Sequence, residues 1–115
     1  MISEKMKEIL QHEGVVAIAT QGSEGPHLVN TWNSYLQITP TGTMLVPVGG
    51  MNTTEANLRR DPRVLVTLGS REVAGLIRGT ATIHASDEAL DLVKPRYVWA
   101  RGVLKITITS VTQTI

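Results

Sequence analysis

Asn30-Thr31-Trp32-Asn33-Ser34-Tyr35 concentrates hydrogen-bonding and aromatic side chains in six residues. On a strand, side chains alternate between faces, so Asn30, Trp32 and Ser34 share one face and Thr31, Asn33 and Tyr35 the other. Each face then carries one large aromatic flanked by small polar groups, whereas a half-buried strand keeps its apolar residues on one side. Aromatic planes beside amides and hydroxyls suit a flat, heteroatom-rich ring, because ligand pockets pair apolar walls with a few placed polar groups. A solvent-exposed antiparallel strand whose aromatics cap the core has the same pattern, and the pattern does not choose between the two.

A second candidate runs from Pro47 through Gly49-Gly50-Met51 to Asn57. An apolar strand, Met44 to Val48, ends in the glycine pair, and a helix starts just after it. Paired glycines let backbone N–H groups approach a ligand closely. A helix N-terminus offers free N–H donors and the positive end of the helix dipole, both favourable to a phosphate. Thr53 and Thr54 add hydroxyls there. Asn52 is placed to cap the helix, with Glu55 three residues later completing a capping box. The spacing is neither a P-loop nor GxGxxG, and a plain strand-to-helix turn uses much the same residues.

Other chemistries find little support. His12, His27 and His84 have no metal-ligand spacing. No acidic pair or Ser–His–Asp arrangement stands out, so no catalytic residue is assigned, and redox work would need a bound cofactor. Without cysteine there is no disulfide, no thiol catalysis and no sign of an oxidising compartment. The net charge is +1 with both signs interspersed, which argues against nucleic acid as a partner. Apolar runs reach about five residues, far short of the ~20 that cross a bilayer, and the charged N-terminus does not resemble a secretory signal. The expectation is a cytoplasmic protein of one domain, residues 1–115, without membrane contact. With no phenylalanine, two tryptophans and two tyrosines, each aromatic is informative.

The elements that would position these residues follow from periodicity. Residues 3–13 predict a helix capped by Ser3 and ended by Gly14, which sets Glu13 near its C-terminus. Val15 to Thr20 is a buried strand. Turn residues Gly22 to Pro26 lead by a hairpin into a strand from 27 to 38, and Pro40 to Thr43 turns back into the Met44–Val48 strand. Pro47 cannot donate to a ladder, so that strand has an open side there. A helix over 53–60 stops at Asp61-Pro62. Three alternating strands follow, with Val64, Val66 and Leu68, then Ile77, Ala81 and Ile83, then Leu104, Ile106 and Ile108 facing inward. A short helix capped by Ser86 interrupts the last two. About six strands joined mainly by hairpins, with two or three short helices, predict a small antiparallel barrel.

The segments VVAIATQG at 15–22, GPHLVNTWNSYL at 25–36, VPVGGM at 46–51, TEAN at 54–57 and TLGSR at 67–71 resemble the small bacterial FMN-binding proteins. These are split-barrel flavoproteins similar to pyridoxamine 5′-phosphate oxidase. The resemblance covers the chain from Glu13 to Trp99-Ala100-Arg101 and Gln113-Thr114. It implies a six-stranded antiparallel split β-barrel of Greek-key type that forms a homodimer with FMN at the interface. It sets Asn30, Thr31 and Trp32 against FMN, with Tyr35 close by on the same strand. Pro47, Gly49, Gly50 and Met51 fall at the pyrimidine edge of the flavin, and Thr53 and Thr54 at its phosphate. Trp99 matches a tryptophan contributed by the partner subunit. It further implies a small electron carrier serving an unidentified redox partner protein; the alternatives are a flavin reductase or oxidase, or a non-redox flavin-binding module. One departure matters: related proteins tend to carry a basic residue where this chain has Thr53, so a phosphate would depend on N–H groups, hydroxyls or an arginine such as Arg59, Arg60 or Arg78.

Overall fold

A computed structural model of the chain describes residues 2–115. Helix α1 (Glu4–Ile9) precedes the hairpin of β1 (Val15–Gly22) and β2 (Gly25–Trp32). A 3-10 turn (Asn33–Tyr35) leads to β3 (Gln37–Ile38) and β4 (Thr43–Val48). Helix α2 (Asn52–Arg60) connects to β5 (Arg63–Gly69) and β6 (Ala74–His84). Helix α3 (Asp87–Leu90) then precedes β7 (Gly102–Gln113).

The strands form one antiparallel sheet in the order β2-β1-β5-β6-β7-β4-β3. Strands β4 to β7 make a Greek key, because β4 returns to lie beside β7. Val16 and Ile18 of β1 share one core with Met44, Val46 and Val48 of β4, although three strands separate β1 from β4 in the sheet. Only a sheet rolled on itself brings them together, and β2 and β3 remain as its free edges: a split barrel. Alternation drives the closure. Val64, Val66 and Leu68 of β5, Ile77 and Ala81 of β6, and Leu104 and Ile106 of β7 are all buried, while their neighbours Arg63, Leu65, Thr67, Arg78 and Thr80 face outward.

Seven strands replace the expected six because the run from 27 to 38 breaks. Asn33 opens the 3-10 turn; its backbone N–H still donates to the Gly14 carbonyl (2.8 Å) as the next rung of the β1–β2 pairing, and it is only 2% exposed. A side chain at Gly14 would not allow this, since its Cβ would lie 2.7 Å from the Asn33 amide nitrogen. Helix α1 is also shorter than the predicted 3–13. After Ile9 the backbone tightens into three-residue bonds, Leu10 to Lys7, Gln11 to Glu8 and His12 to Ile9. Glu13 therefore lies outside the helix. No helix of the described residues is long and apolar enough to cross a membrane.

Candidate functional site

The Asn30–Trp32 segment forms the end of β2, in register with β1 as Ala17–Asn30, Val16–Thr31 and Val15–Trp32. Thr31 points into the barrel and is buried; Asn30 and Trp32 face outward, with Trp32 44% exposed. Tyr35 does not continue this strand as the alternation predicts. It belongs to the 3-10 turn, which swings it toward the C-terminal half of the chain. There Tyr35, Tyr97 and Trp99 pack together, with ring centroids 4.9 Å (Tyr35–Tyr97), 5.6 Å (Tyr35–Trp99) and 5.8 Å (Tyr97–Trp99) apart. Each tilted pair contributes about 0.5–1.5 kcal/mol beyond area burial. The Tyr97 hydroxyl donates to the Ser34 carbonyl (2.9 Å), fixing the cluster to the turn. Tyr97 is absent from the residues that the sequence singles out, and only the scarcity of aromatics draws attention to it.

Trp99 connects this cluster to the glycine loop. A Cβ built on Gly49 would meet the Trp99 ring at 3.2 Å, so the bare glycine lets the indole settle on the loop. Trp99 thus lies against Gly49 of its own chain. Gly50 is different: nothing lies within 4 Å of where its Cβ would be, and its backbone is open. Pro47 is buried, paired with Val103 of β7 on one side, while β3 extends no further than Leu45 on the other. The open side predicted from Pro47 is present.

Helix α2 starts differently from the prediction. Asn52 is its first helical residue and Met51 takes the cap position, with φ −84° and ψ 59° and no side-chain hydrogen bond. The Asn52–Glu55 capping box does not form. The Glu55 N–H bonds to the Met51 carbonyl (2.9 Å), and the Glu55 carboxylate turns to Arg59 (2.6 Å). The N–H groups of Asn52, Thr53 and Thr54 are left without a side-chain cap. Thr54 is 1% exposed and its Oγ1 has no partner; an unsatisfied buried polar group of this kind costs about 1–3 kcal/mol. The helix is pinned to β1 by the buried Asn57 amide, which donates to Thr20 Oγ1 (3.1 Å). Uncapped N–H groups and an open glycine backbone fit an anionic group such as a phosphate; the buried Thr54 hydroxyl faces the interior.

Arg59 and Arg60 lie at the far end of the nine-residue helix, roughly 10 Å or more from its start at 1.5 Å per residue. Arg59 is paired with Glu55, and Arg60 donates to the Gln21 carbonyl (3.0 Å). Neither serves the α2 N-terminus of its own chain. Arg78, on β6, borders a cavity of about 400 Å³ with Arg63, Thr80 and Thr109. Asp61, at the α2 C-terminus, is held well below the ordinary carboxylate range, to about 2, by the Arg63 guanidinium that donates to it. His84 shares a hydrogen bond with Thr82. No three metal-ligating side chains converge among the described residues.

A groove of about 870 Å³ between α1 and the β3–β4 turn touches none of residues 30–32 and 47–54. The candidate site is an open surface, and an apolar face adjoins it. Val15 (54% exposed) pairs with Trp32, and Ala19 pairs with both Leu28 (66%) and Leu65 (41%), so these side chains line one outer face of β2, β1 and β5. Exposed apolar patches of this kind mark interaction surfaces.

Known proteins agree with this architecture. An FMN-binding protein of Nitratidesulfovibrio vulgaris (strain DSM 19637 / Miyazaki F) is 53% identical over 116 residues, spanning 94% of each chain. Among solved structures, HupZ from Group A Streptococcus superposes with a TM-score of 0.81 at 17% identity, over 99% of this chain and 94% of that one. General Stress Protein 26 from Bacillus anthracis gives 0.74 at 16% identity, over 96% and 91%. These two share the fold. The family model described as Pyridoxamine 5′-phosphate oxidase matches residues 2–115, and the chain belongs to that family.

Proposed function

We propose that the protein binds FMN non-covalently between two copies of the chain and works as a small electron carrier for a redox partner protein. The observation that carries this reading is the 53% identity, along nearly the whole chain, to a protein named for binding FMN. The site geometry supports it. The start of α2, with Thr53 and Thr54, holds the phosphate through backbone N–H groups and the Thr53 hydroxyl. The open backbone of Gly50, with Pro47, Gly49 and Met51, meets the polar edge of the flavin. Asn30, Thr31 and Trp32 line the adjoining strand, and Tyr35 and Trp99 supply aromatic walls. Bound FMN supplies the redox chemistry, which the side chains of this chain do not.

The open site and the apolar face beside it support the dimer: a second copy seated on Val15, Leu28, Trp32 and Leu65 would cover both. The family's description favours a second reading, an FMN-dependent oxidase or reductase; turnover of NAD(P)H or a pyridoxamine phosphate by the holoprotein would decide for it. The experiment that tests the main reading is a titration of the apoprotein with FMN and with riboflavin, alongside its molar mass by light scattering. FMN binds more tightly than riboflavin, and Leu28→Glu with Leu65→Glu reduces a dimer to a monomer. Equal dissociation constants for the two flavins would remove the phosphate site at 51–54, and a wild-type monomer would remove the interface.

A further inference from the structure

Tyr97 differs from the other three aromatic residues in how it is held. Its hydroxyl donates to the Ser34 carbonyl (2.9 Å), and no other aromatic side chain makes a hydrogen bond among the described residues. Its half-buried ring packs against the smaller core of Leu45, Ala89, Val93, Ala100 and Val103. The Arg96 guanidinium sits 5.5 Å from the ring centre, a cation–π distance. Tyr35 and Trp99 lack such an anchor. Trp99 is 45% exposed, and the two rings meet each other at 5.6 Å and Tyr97 at 4.9 and 5.8 Å. Each of them leads to a different part of the candidate site. Tyr35 belongs to the turn that follows Asn30–Trp32, and Trp99 lies on Gly49. The strand end at 30–32 and the glycine loop are thus linked through one tyrosine rooted in the core.

We propose that Tyr97 is a positioning residue for the flavin ring. It acts through its neighbours: the hydroxyl fixes the turn that carries Tyr35, and the ring fixes the tilt of Trp99 against Gly49. The two aromatic walls then keep one spacing, and a ring that enters between them finds them already set, so less ordering remains to be done on binding. The role presupposes the FMN reading. It concerns the ring and not the phosphate, because Tyr97 is linked to the turn and to Gly49 but not to the first turn of α2.

Tyr97→Phe keeps the ring and removes only the hydroxyl. Titrated with FMN and with riboflavin, the full chain carrying it binds both about fivefold more weakly than the wild type, the usual worth of one hydrogen bond. The ratio of the two dissociation constants stays at its wild-type value. At saturating FMN the visible circular dichroism of the bound flavin differs from that of the wild type, which a loss of global stability alone does not produce. In a Tyr35→Leu background the same substitution costs less than about twofold, because the hydroxyl acts through the turn that carries Tyr35. Three results would each overturn the proposal: wild-type affinity and dichroism in Tyr97→Phe, a loss confined to FMN, or an undiminished fivefold loss in the Tyr35→Leu background. A wild type that binds neither flavin removes the FMN reading itself, whereas any of those three results beside a wild type that binds FMN removes only the role of Tyr97.

Discussion

Two of the three helices begin with a serine cap and an acid; the third begins with neither. Ser3 accepts the Met6 N–H ahead of Glu4, and Ser86 accepts the Ala89 N–H ahead of Asp87 and Glu88. Both serines have extended backbones, with ψ of 160° and 157°, which let the hydroxyl fold back over the first turn. Met51 enters α2 with ψ 59°, and no side chain folds back. The first three residues of α2, Asn52-Thr53-Thr54, are uncharged, and Glu55, the fourth, is tied to Arg59. The closed helix starts use their donors on a serine of the chain itself, whereas the open one leaves them without a side-chain partner. On the proposed FMN reading, the contrast is between a structural helix start and a binding one.

Making α2 resemble the other two should break the contrast with the largest effect. Thr53→Asp adds a negative charge to the first turn, which favours the helix by about 0.3–1 kcal/mol through its dipole. The same charge repels a phosphate by about 1–2 kcal/mol in water-like surroundings. FMN affinity should fall roughly tenfold while apoprotein stability rises slightly, measured by flavin titration and by urea unfolding. Riboflavin affinity should stay unchanged; a parallel fall for riboflavin would locate the damage in the ring site and not at the phosphate.

Thr53→Lys sharpens the contrast in the other direction. A lysine at the open start adds a cation beside the uncapped N–H groups. FMN binding should tighten by about fivefold, equivalent to about 1 kcal/mol, and the gain should shrink as salt is added. Stability of the apoprotein should not rise, since a positive charge at a helix N-terminus is unfavourable.

The helix starts also show which features are legible in a sequence. Ser3 and Ser86 are readable as caps because capping is local: the hydroxyl reaches three residues ahead. Asn52 has the right residue type for a cap, yet the chain leaves Gly49-Gly50 at an angle that moves the cap position back to Met51. Beside that loop the Trp99 ring lies on Gly49, fifty residues away. The inward faces of β5, β6 and β7 are legible from period-2 alternation. The break after Trp32 is not: it is a single 3-10 turn, Asn33–Tyr35, closed by the Leu36 N–H on the Asn33 carbonyl, inside a run that alternates like a strand. Tyr97 joins Tyr35 through a bond to Ser34, 63 residues away. Local spacing carries no trace of such pairings.

A smaller effect belongs to the closed starts. Ser86→Ala should lower stability by about 0.5 kcal/mol, the low end for a lost cap because α3 is a four-residue helix on the surface. FMN and riboflavin affinities should not move. A change in flavin affinity would mean that α3, through its packing under Tyr97 and Ala100, holds Trp99 in place.

The far end of α2 gives the smallest effect and supplies a pH signature. Asp61 ends the helix, and Arg63 donates to both of its carboxylate oxygens, at 3.0 Å and 2.6 Å. These hydrogen bonds hold its pKa at about 2 when folded, against an ordinary 3.8. The folded value is the lower one, so the unfolded chain takes up the proton first as pH falls. The pair's contribution is therefore complete above about 3.8 and is lost progressively as pH falls through about 2. Asp61→Asn should remove that part of the acid dependence, so that stability measured from pH 5 to pH 2 declines less steeply than in the wild type. At neutral pH the variant should be only slightly less stable, because both side chains are on the surface and screened. An unchanged acid slope would mean that the pairing also persists in the unfolded chain, where Asp61 and Arg63 remain two residues apart.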